Sequence, residues 1–507
     1  MAYVLGFDSS TQSLTGLLIH LEDLRIVSEL AVSFGEFPEF RCPRGFLENL
    51  PTGEVHADPR VWLAALEKLL ERMKNERWPL GEVVALSGSG QQHGSVYLKS
   101  GFAEKLSQLD PGQSLVSQLE GIFSRPTSPI WMDVSTSAEC AEITAAAGGA
   151  QGVCERSGSL AIERFTGPQI RAFWKRDPQA YGETSRIHLV SSFLCSVLSC
   201  TDAPIDTGDG AGMNLMNLAK REWDSVLLGA TAPQLESRLP AVQPATSVAG
   251  PIGSYFVERF GFAPACVVLL FTGDNPSSLV GMGAAGGTRL IVSLGTSDVL
   301  FAAMKEPKTD PDGCGHVFGN PLGGYMTLAV VRNGSLAREA FRDQLGADWS
   351  DFEKAGETNL PDDAVSLPFM TAEITPKRSG GLIESRPDLP VVGRIRAFLE
   401  GQAFNLLRQL EWMDLHPNEL CLTGGASRNH GIAQIFADVF QVPVSRLAIP
   451  NSAALGAAMR AALAMGADQS QLEHALTGAG STVQPSSHSP VTNARYERWR
   501  MLLEKSV

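Results

Sequence analysis

Asp274 stands where a carboxylate can do chemistry. It follows the apolar run Val267-Val268-Leu269-Leu270-Phe271, which breaks at Thr272-Gly273, and it precedes Asn275-Pro276. The run reads as a buried strand, and Asn at an N-cap with Pro at the first helical position reads as the start of a helix. A carboxylate at such a strand-to-helix turn lies where open α/β sheets bind ligands, and it can take a proton from a bound hydroxyl. An Asp in this place can equally do no more than cap the helix.

Other residue groups repeat the theme of polar chemistry at a strand end. Val83-Val84-Ala85-Leu86 runs into Ser87-Gly88-Ser89-Gly90-Gln91-Gln92-His93-Gly94. Small residues and amides there let a polyhydroxyl ligand come close, with His93 either a ligand or a core histidine. Ile130-Trp131-Met132-Asp133 offers an aromatic face beside an acid, suited to a sugar, or else a core Trp and a capping Asp. Residues 3–20 read as a hairpin whose tip, Asp8-Ser9-Ser10-Thr11-Gln12-Ser13, carries a carboxylate and hydroxyls beside N–H groups able to face an anion. Residues 289–304 have the same shape, with Gly295-Thr296-Ser297 at the tip. Two hairpins of one pattern, one opening each half, suggest an internal duplication, and facing tips could grip phosphates.

The elements that must position these groups are those of a large α/β chain. Trp62, Leu66, Leu69, Leu70 and Met73 recur at helical spacing, predicting a helix over 59–75. Further helices are predicted near 135–147, 191–199, 334–344 and 393–413, and again from 451 and at the C-terminus. The strand 419–423 ends in Gly424-Gly425-Ala426-Ser427-Arg428-Asn429, whose bare backbone suits a flat ring. Two motifs are decoys. Gly281-Met282-Gly283-Ala284-Ala285-Gly286 fits a dinucleotide fingerprint but follows a helix and precedes a strand, the reverse of what that site requires. Asp206-Thr207-Gly208-Asp209-Gly210-Ala211-Gly212 lacks the alternating ligands and closing Glu of a calcium loop.

With 507 residues the chain is too long for one core, and two domains divided near 261 are expected. A net charge of −14 argues against nucleic acid and anionic membranes as partners, since both reward positive patches. No stretch approaches the roughly 20 apolar residues of a spanning helix, and no basic leader opens the chain. The eight cysteines are scattered without a C-x-x-C pair, as reduced thiols would be, so a cytoplasmic location is expected.

Taken in order, seven stretches resemble the FGGY carbohydrate kinases of the actin/hexokinase/Hsp70-like superfamily. They are Asp8-Ser9-Ser10-Thr11-Gln12, Leu86–Gly94, Trp131-Met132-Asp133, Glu163-Arg164-Phe165-Thr166-Gly167, Phe271–Pro276, Ser293–Asp298 and Thr423–Ser427. The resemblance implies two α/β domains of ribonuclease-H type with an interdomain cleft. The expected division is 1–261 on the sugar side and 262–479 on the ATP side, with the helix of about 480–507 packing back on the first domain. It implies ATP-dependent phosphorylation of a ketose at its terminal hydroxyl, D-xylulose first. Ribulose, another ketose or a polyol is the alternative, and a non-catalytic actin-fold ATP-binding protein a further one. Asp274 would be the base, and His93, Arg164 and Asn275 would hold the sugar with Trp131 and Asp133 close by. Asp8 would bind Mg2+, and Ser10, Thr11, Gln12, Gly295 and Thr296 would take the phosphates. Trp349, Gly424, Gly425 and Asn429 would take the adenine end. The partners implied are the small ketose and ATP, in a monomer or homodimer. The chain departs from the wider pattern at Ser10, where Gly is usual, and at Ser191-Ser192-Phe193, where many bacterial members have Lys-Asp-Tyr.

Overall fold

A computed structural model describes residues 1–447, 449–478, 482–486 and 489–506, and the side chains of 489–492 lie outside it. The chain forms two compact units. One comprises Met1–Gly283, Phe318–Tyr325 and Pro450–Thr477, the other Ala284–Val317, Met326–Ile449 and Gly478–Val507.

In the first unit β1 (Tyr3–Ser9), β2 (Ser13–His20) and β3 (Arg25–Ser33) form an antiparallel meander. On the other side of β1 lies β4 (Val83–Gly90), parallel to it. Beyond β4 come the edge strand β5 (Val248–Pro251) and β6 (Val267–Leu269), with β6 parallel to β4. The short β7 (Thr272–Gly273) also pairs with β4, Thr272 opposite Ser89 and Gly273 opposite Gly90. β1 and β4 are buried almost throughout, as strands covered on both faces must be, so their apolar residues run on without alternation. α1 (Arg60–Asn75) buries Val61, Trp62, Leu66, Leu69, Leu70 and Met73 as one stripe against this sheet.

Three further elements close the ligand end of the sheet: α2 (Val190–Ser199), α3 (Thr207–Ala211) and α4 (Asp274–Gly281). α4 starts earlier than Asn275-Pro276 suggests. Gly273 is its N-cap, and Asp274 is its first helical residue. The Asp274 carboxylate turns back on its neighbour, accepting from the Asn275 N–H at 2.8 Å, instead of spanning to the second or third residue as a capping side chain does.

The helix Ser452–Ala464 packs across α4 and β1 at backbone contact. A Cβ on Gly456 would lie 1.8 Å from the Ser277 carbonyl oxygen, and one on Gly281 would lie 1.9 Å from that of Ser452. Gly281, the first glycine of the would-be dinucleotide fingerprint, is therefore the last residue of α4 and serves helix packing. Arg460, on the same helix, is buried and donates to the carbonyls of Leu270 at 3.0 Å and Gly88 at 2.6 Å.

The second unit repeats the plan. β8 (Arg289–Leu294) and β9 (Asp298–Met304) form an antiparallel hairpin, and β10 (His316–Gly319) and β11 (Tyr325–Val331) extend the sheet beyond β9. α5 (Ser335–Leu345), α6 (Trp349–Ala355) and α7 (Val391–Met413) follow. β12 (Glu419–Thr423) lies parallel to β8, α8 (His430–Phe440) comes next, and β13 (Val444–Arg446) lies parallel to β12. In both sheets the opening strand sits between its own hairpin partner and a later strand parallel to it, β4 in the first and β12 in the second. That shared order is the two-domain ribonuclease-H-like fold, and the duplication inferred from the two hairpins is present in the strands.

The units divide differently from a cut at 261, because α4 and the helix Ser452–Ala464 need each other's glycines and stay with the first sheet. The C-terminal helix Ser489–Lys505, expected against the first domain, instead lies on the second unit. Its Trp499 is fully buried 6.1 Å from Phe404, and its Arg495 donates to both oxygens of Glu400 on α7 at 2.7 Å. No helix among the described residues is long and apolar enough to cross a membrane.

Gly456→Ala should destabilise the protein by about 1–3 kcal/mol, the usual cost of forcing extra volume into a packed contact. Urea denaturation checks this, and an unchanged midpoint would mean the two helices can part without loss.

Candidate active site

The first unit gathers its polar residues at the carboxyl ends of β1, β4 and β7. Asp8 ends near the tip of the first hairpin, where its Oδ1 accepts from the Ser89 hydroxyl at 2.7 Å. Burial and the nearby Asp274 charge push its pKa up to about 7, against the pull of that hydrogen bond. Asp274 is partly exposed and accepts from both the backbone and side-chain amides of Asn275 and from the Gln92 backbone. Burial outweighs these bonds and raises it to about 6. The structure thus brings Asp8 and Asp274 together, and among the described residues no cation is paired to either.

Asn275 and the amide loop after β4 are interlocked, the Asn275 side chain donating to Gln92 Oε1 at 2.8 Å. The Gln92 Nε2 and both amide atoms of Gln91 are buried and have no hydrogen-bond partner among the described residues. His93 sits in the left-handed region at φ 70°, a backbone state a non-glycine residue takes only when its surroundings impose it. Its Nδ1 lies 2.8 Å from the Gly212 carbonyl oxygen, which can only accept, so Nδ1 carries the proton. The ring stacks on Phe165 at 4.3 Å. Arg164, next in the chain to Phe165, is half-buried, and its guanidinium makes no hydrogen bond or ion pair with the described residues. Burial lowers its pKa against the opposing charge of Glu163. A desolvated cation of this kind is suited to a polar ligand.

Trp131 and Asp133 have separate roles. The Trp131 ring is 43% exposed, and its Nε1 donates to the Thr11 hydroxyl at 2.8 Å, tying an aromatic face to the tip of the first hairpin. Asp133, expected beside the sugar, is fully buried and serves its own loop. It accepts from the Val55 and Ser135 backbones, the Ser135 hydroxyl, Gln169 at 2.7 Å and His56 at 3.3 Å. Burial opposes its ionisation, but those donors more than offset it and hold the carboxyl well below the usual range. At the hairpin tip Ser10 closes on Ser13, Thr11 keeps its own hydroxyl proton to donate, and Gln12 is exposed.

Sequence reasoning missed the loop it set aside as a failed calcium site. Asp206 accepts from Thr272 at 2.7 Å and from the Gly208 and Asp209 N–H groups at 2.8 and 3.0 Å. Asp209 accepts from the Ser191 hydroxyl, and its Oδ1 is buried without a partner. A signal was present in the sequence, since two acids among glycines need a reason. That reason is long-range contact with β7 and α2, which spacing does not reveal.

The second unit has its own pocket, a cavity of about 550 Å3 lined in part by Gly295, Thr296, Trp349, Gly425 and Asn429. Five residues singled out from separate stretches of sequence therefore meet at one place. Gly424 adjoins it at φ 86°, where a Cβ would lie 2.5 Å from the Leu294 carbonyl oxygen, so no other residue fits this approach of β12 to β8. Asn429 caps α8 through Ile432 and donates to the Trp349 carbonyl, fixing the indole's mount, and the indole is 41% exposed. Arg428 also lines the cavity and was not anticipated. The hairpin tip is anchored from behind. The Gly295 carbonyl accepts from Ser335 N–H at 3.0 Å, and buried Asp298 is paired with buried Arg338, which donates onward to Gln402 at 3.0 Å.

A magnesium ion fits this chemistry at Asp8. The group is a hard oxygen donor beside a second carboxylate, and Mg2+ commonly takes one or two protein carboxylates while waters and phosphates fill its shell. Among the described residues no group of three or more His, Cys, Asp or Glu could hold a metal ion.

Comparison with known proteins adds family matches to this geometry. Residues 127–281 match the N-terminal domain of the FGGY family of carbohydrate kinases, and residues 290–465 match its C-terminal domain. The xylulose kinase of Rattus norvegicus is 40% identical over 471 residues, covering 90% of this chain and 87% of the relative. Xylulose kinase 2 of Arabidopsis thaliana is 39% identical over 484 residues, covering 90% and 86%. Among solved structures, xylulose kinase from Rhodospirillum rubrum superposes with a TM-score of 0.81 at 20% identity, covering 99% of this chain and 98% of the other. Plasmodium falciparum glycerol kinase with ADP gives 0.78 at 16% identity, covering 100% and 98%. These two superpositions speak for the fold.

Asp298→Ala should leave Arg338 buried and unpaired, at a cost of roughly 3–5 kcal/mol. Urea denaturation measures it, and a loss below 1 kcal/mol would mean Arg338 finds another partner behind the hairpin.

Proposed function

The chain belongs to the FGGY family of carbohydrate kinases, and we propose that it phosphorylates the terminal hydroxyl of D-xylulose with ATP. The relatives that carry the name xylulose kinase support the sugar. The observation that carries the chemistry is Asp274. It is a partly exposed carboxylate at the end of β7, raised to about 6 by burial and flanked by the amides of Asn275 and Gln92.

A base in that range is ionised at neutral pH yet basic enough to receive a proton as an alkoxide develops. In the proposed reaction Asp274 takes the hydroxyl proton while the sugar oxygen attacks the γ-phosphorus and ADP leaves. Asn275 orients the Asp274 carboxylate, and the fixed Nδ1–H of His93 sets the ring's other nitrogen as an acceptor for a sugar hydroxyl. Arg164 donates to sugar oxygens, and the exposed Trp131 face covers the apolar side of the chain. Asp133 acts through the loop that it braces. Ser10, Thr11, Gln12, Gly295 and Thr296 hold phosphates, and Trp349, Gly424, Gly425 and Asn429 accept the adenine end. Magnesium, held by Asp8, would neutralise phosphate charge. Little covalent assistance is needed beyond this, since positioning and charge neutralisation carry most of a phosphoryl transfer.

ADP release across a panel of ketopentoses, ketohexoses and polyols tests the substrate. D-xylulose should give the highest kcat/KM, and a clear preference for ribulose or a polyol would replace it. Asp274→Ala should lower sugar phosphorylation by about 10²–10⁴ while nucleotide affinity stays unchanged. Near-normal turnover in that variant would remove Asp274 as the base. For the wild type, kcat/KM should fall roughly tenfold per unit below about pH 6, where Asp274 becomes protonated and cannot accept. His93→Ala should raise the ketose KM on the order of tenfold and leave the ATP KM alone, the loss expected for one hydrogen bond.

A further inference from the structure

Asp209 is a buried acid with no cation paired to it among the described residues. It is 1% exposed, one oxygen accepts from the Ser191 hydroxyl, and the other has no partner among the described residues. Its backbone N–H donates to Asp206, whose carboxylate is already satisfied by Thr272 and the Gly208 N–H. The same loop ends at Gly212, whose carbonyl fixes the His93 ring. α3 packs on β7, which leads directly into Asp274.

We propose that Asp209 is a positioning residue that works as a neutral carboxylic acid, bracing the loop that aims His93 while adding no negative charge beside Asp274. An acid without a cation or a full set of donors is far easier to bury neutral than charged. Ser191 is the one side-chain donor the described residues aim at the carboxyl group, and Oδ1 has none, too few for a buried carboxylate. Burial, the Asp206 charge and the Asp274 charge together hold its pKa well above the carboxylate range, with Ser191 opposing.

The charged groups facing the loop agree. Asp206 lies on the loop itself, Asp274 follows β7, and Arg460 acts on Asp206, helping to keep that neighbour ionised. An ionised Asp209 would oppose the ionisation of Asp274, which must be charged to act as a base.

The inference rests on the ketose-kinase reading only for its kinetic arm. With full-length protein and the best sugar of the panel, Asp209→Asn, a neutral isostere of the acid, should keep the ketose KM and kcat within about threefold at pH 7. Asp209→Ala should raise the ketose KM on the order of tenfold with the ATP KM unchanged. A fall of a hundredfold or more in kcat for Asp209→Asn would show that the charged carboxylate is the working form and overturn the proposal, as would an unchanged ketose KM in Asp209→Ala.

Carboxyl-13C NMR of the substrate-free protein decides the protonation state without any activity, with the Asp209 signal identified by its loss in Asp209→Asn. It should show ionisation only well above the ordinary carboxylate range, and titration within that range would overturn the proposal. Stability gives a third reading. A group that binds its proton more tightly when folded loses stability as pH rises above its unfolded pKa, so the melting temperature of Asp209→Asn relative to wild type should climb from pH 5 to pH 8. A constant difference would overturn the neutral acid. If no sugar on the panel is phosphorylated, the substrate reading fails, while the NMR and melting measurements still decide Asp209.

Discussion

Four carboxylates, those of Asp8, Asp206, Asp209 and Asp274, are held at one end of a buried sheet, with one buried guanidinium, Arg460, acting on Asp206. Burying that much negative charge is expensive, and each acid meets the cost differently. Asp206 is bonded by two N–H groups and a hydroxyl and faces Arg460. Arg460, itself held down to about 10 by burial, acts on Asp206 through its charge and donates to the carbonyls of Gly88 on β4 and of Leu270 just after β6. Asp8 and Asp274 are left with fewer donors and raised pKa values, so a cation or a proton is welcome there. The site's chemistry follows from how unevenly the donors are shared.

Packing makes that arrangement possible. Asp274 is delivered by α4, and α4 keeps its place because Gly281 and Gly456 let its backbone touch that of the helix Ser452–Ala464. The same helix brings Arg460 under the strand ends. A single close contact between helices far apart in sequence therefore sets both Asp274 and the buried cation Arg460 under the strand ends. It is also why residues 450–477 stay with the first unit although the chain reaches them after the second sheet.

Local pattern made much of this legible. The two hairpins, the strand before Asp274 and the amide loop after β4 are short-range features, and the second-unit pocket assembles residues that the family resemblance had singled out. What sequence could not show is long-range. Asp133 looks like a ligand because it follows Trp131, yet His56, Gln169 and Val55 reach it from elsewhere in the chain and close it off. Asp209 looks like a stray loop acid because Ser191, its partner, lies on another helix. The C-terminal helix shows an amphipathic face but not which core receives it, and Glu400 and Phe404 decide that.

The duplicated hairpins show how one plan yields two different tasks. In each unit a fully satisfied buried charge stands behind an exposed group at the tip. Asp133 braces the loop of Trp131, which binds Thr11, and the Asp298–Arg338 pair braces the turn that carries Thr296. Buried and well-bonded charges of this kind fix geometry without being available to react. The repeats differ at the strand position three residues before the tip threonine. Asp8 occupies it in the first hairpin and Ser293 in the second, so at that strand position one hairpin carries a carboxylate and the other a hydroxyl. Duplication supplied two turns of one shape, and a single side-chain difference leaves a carboxylate at only one of these two strand positions.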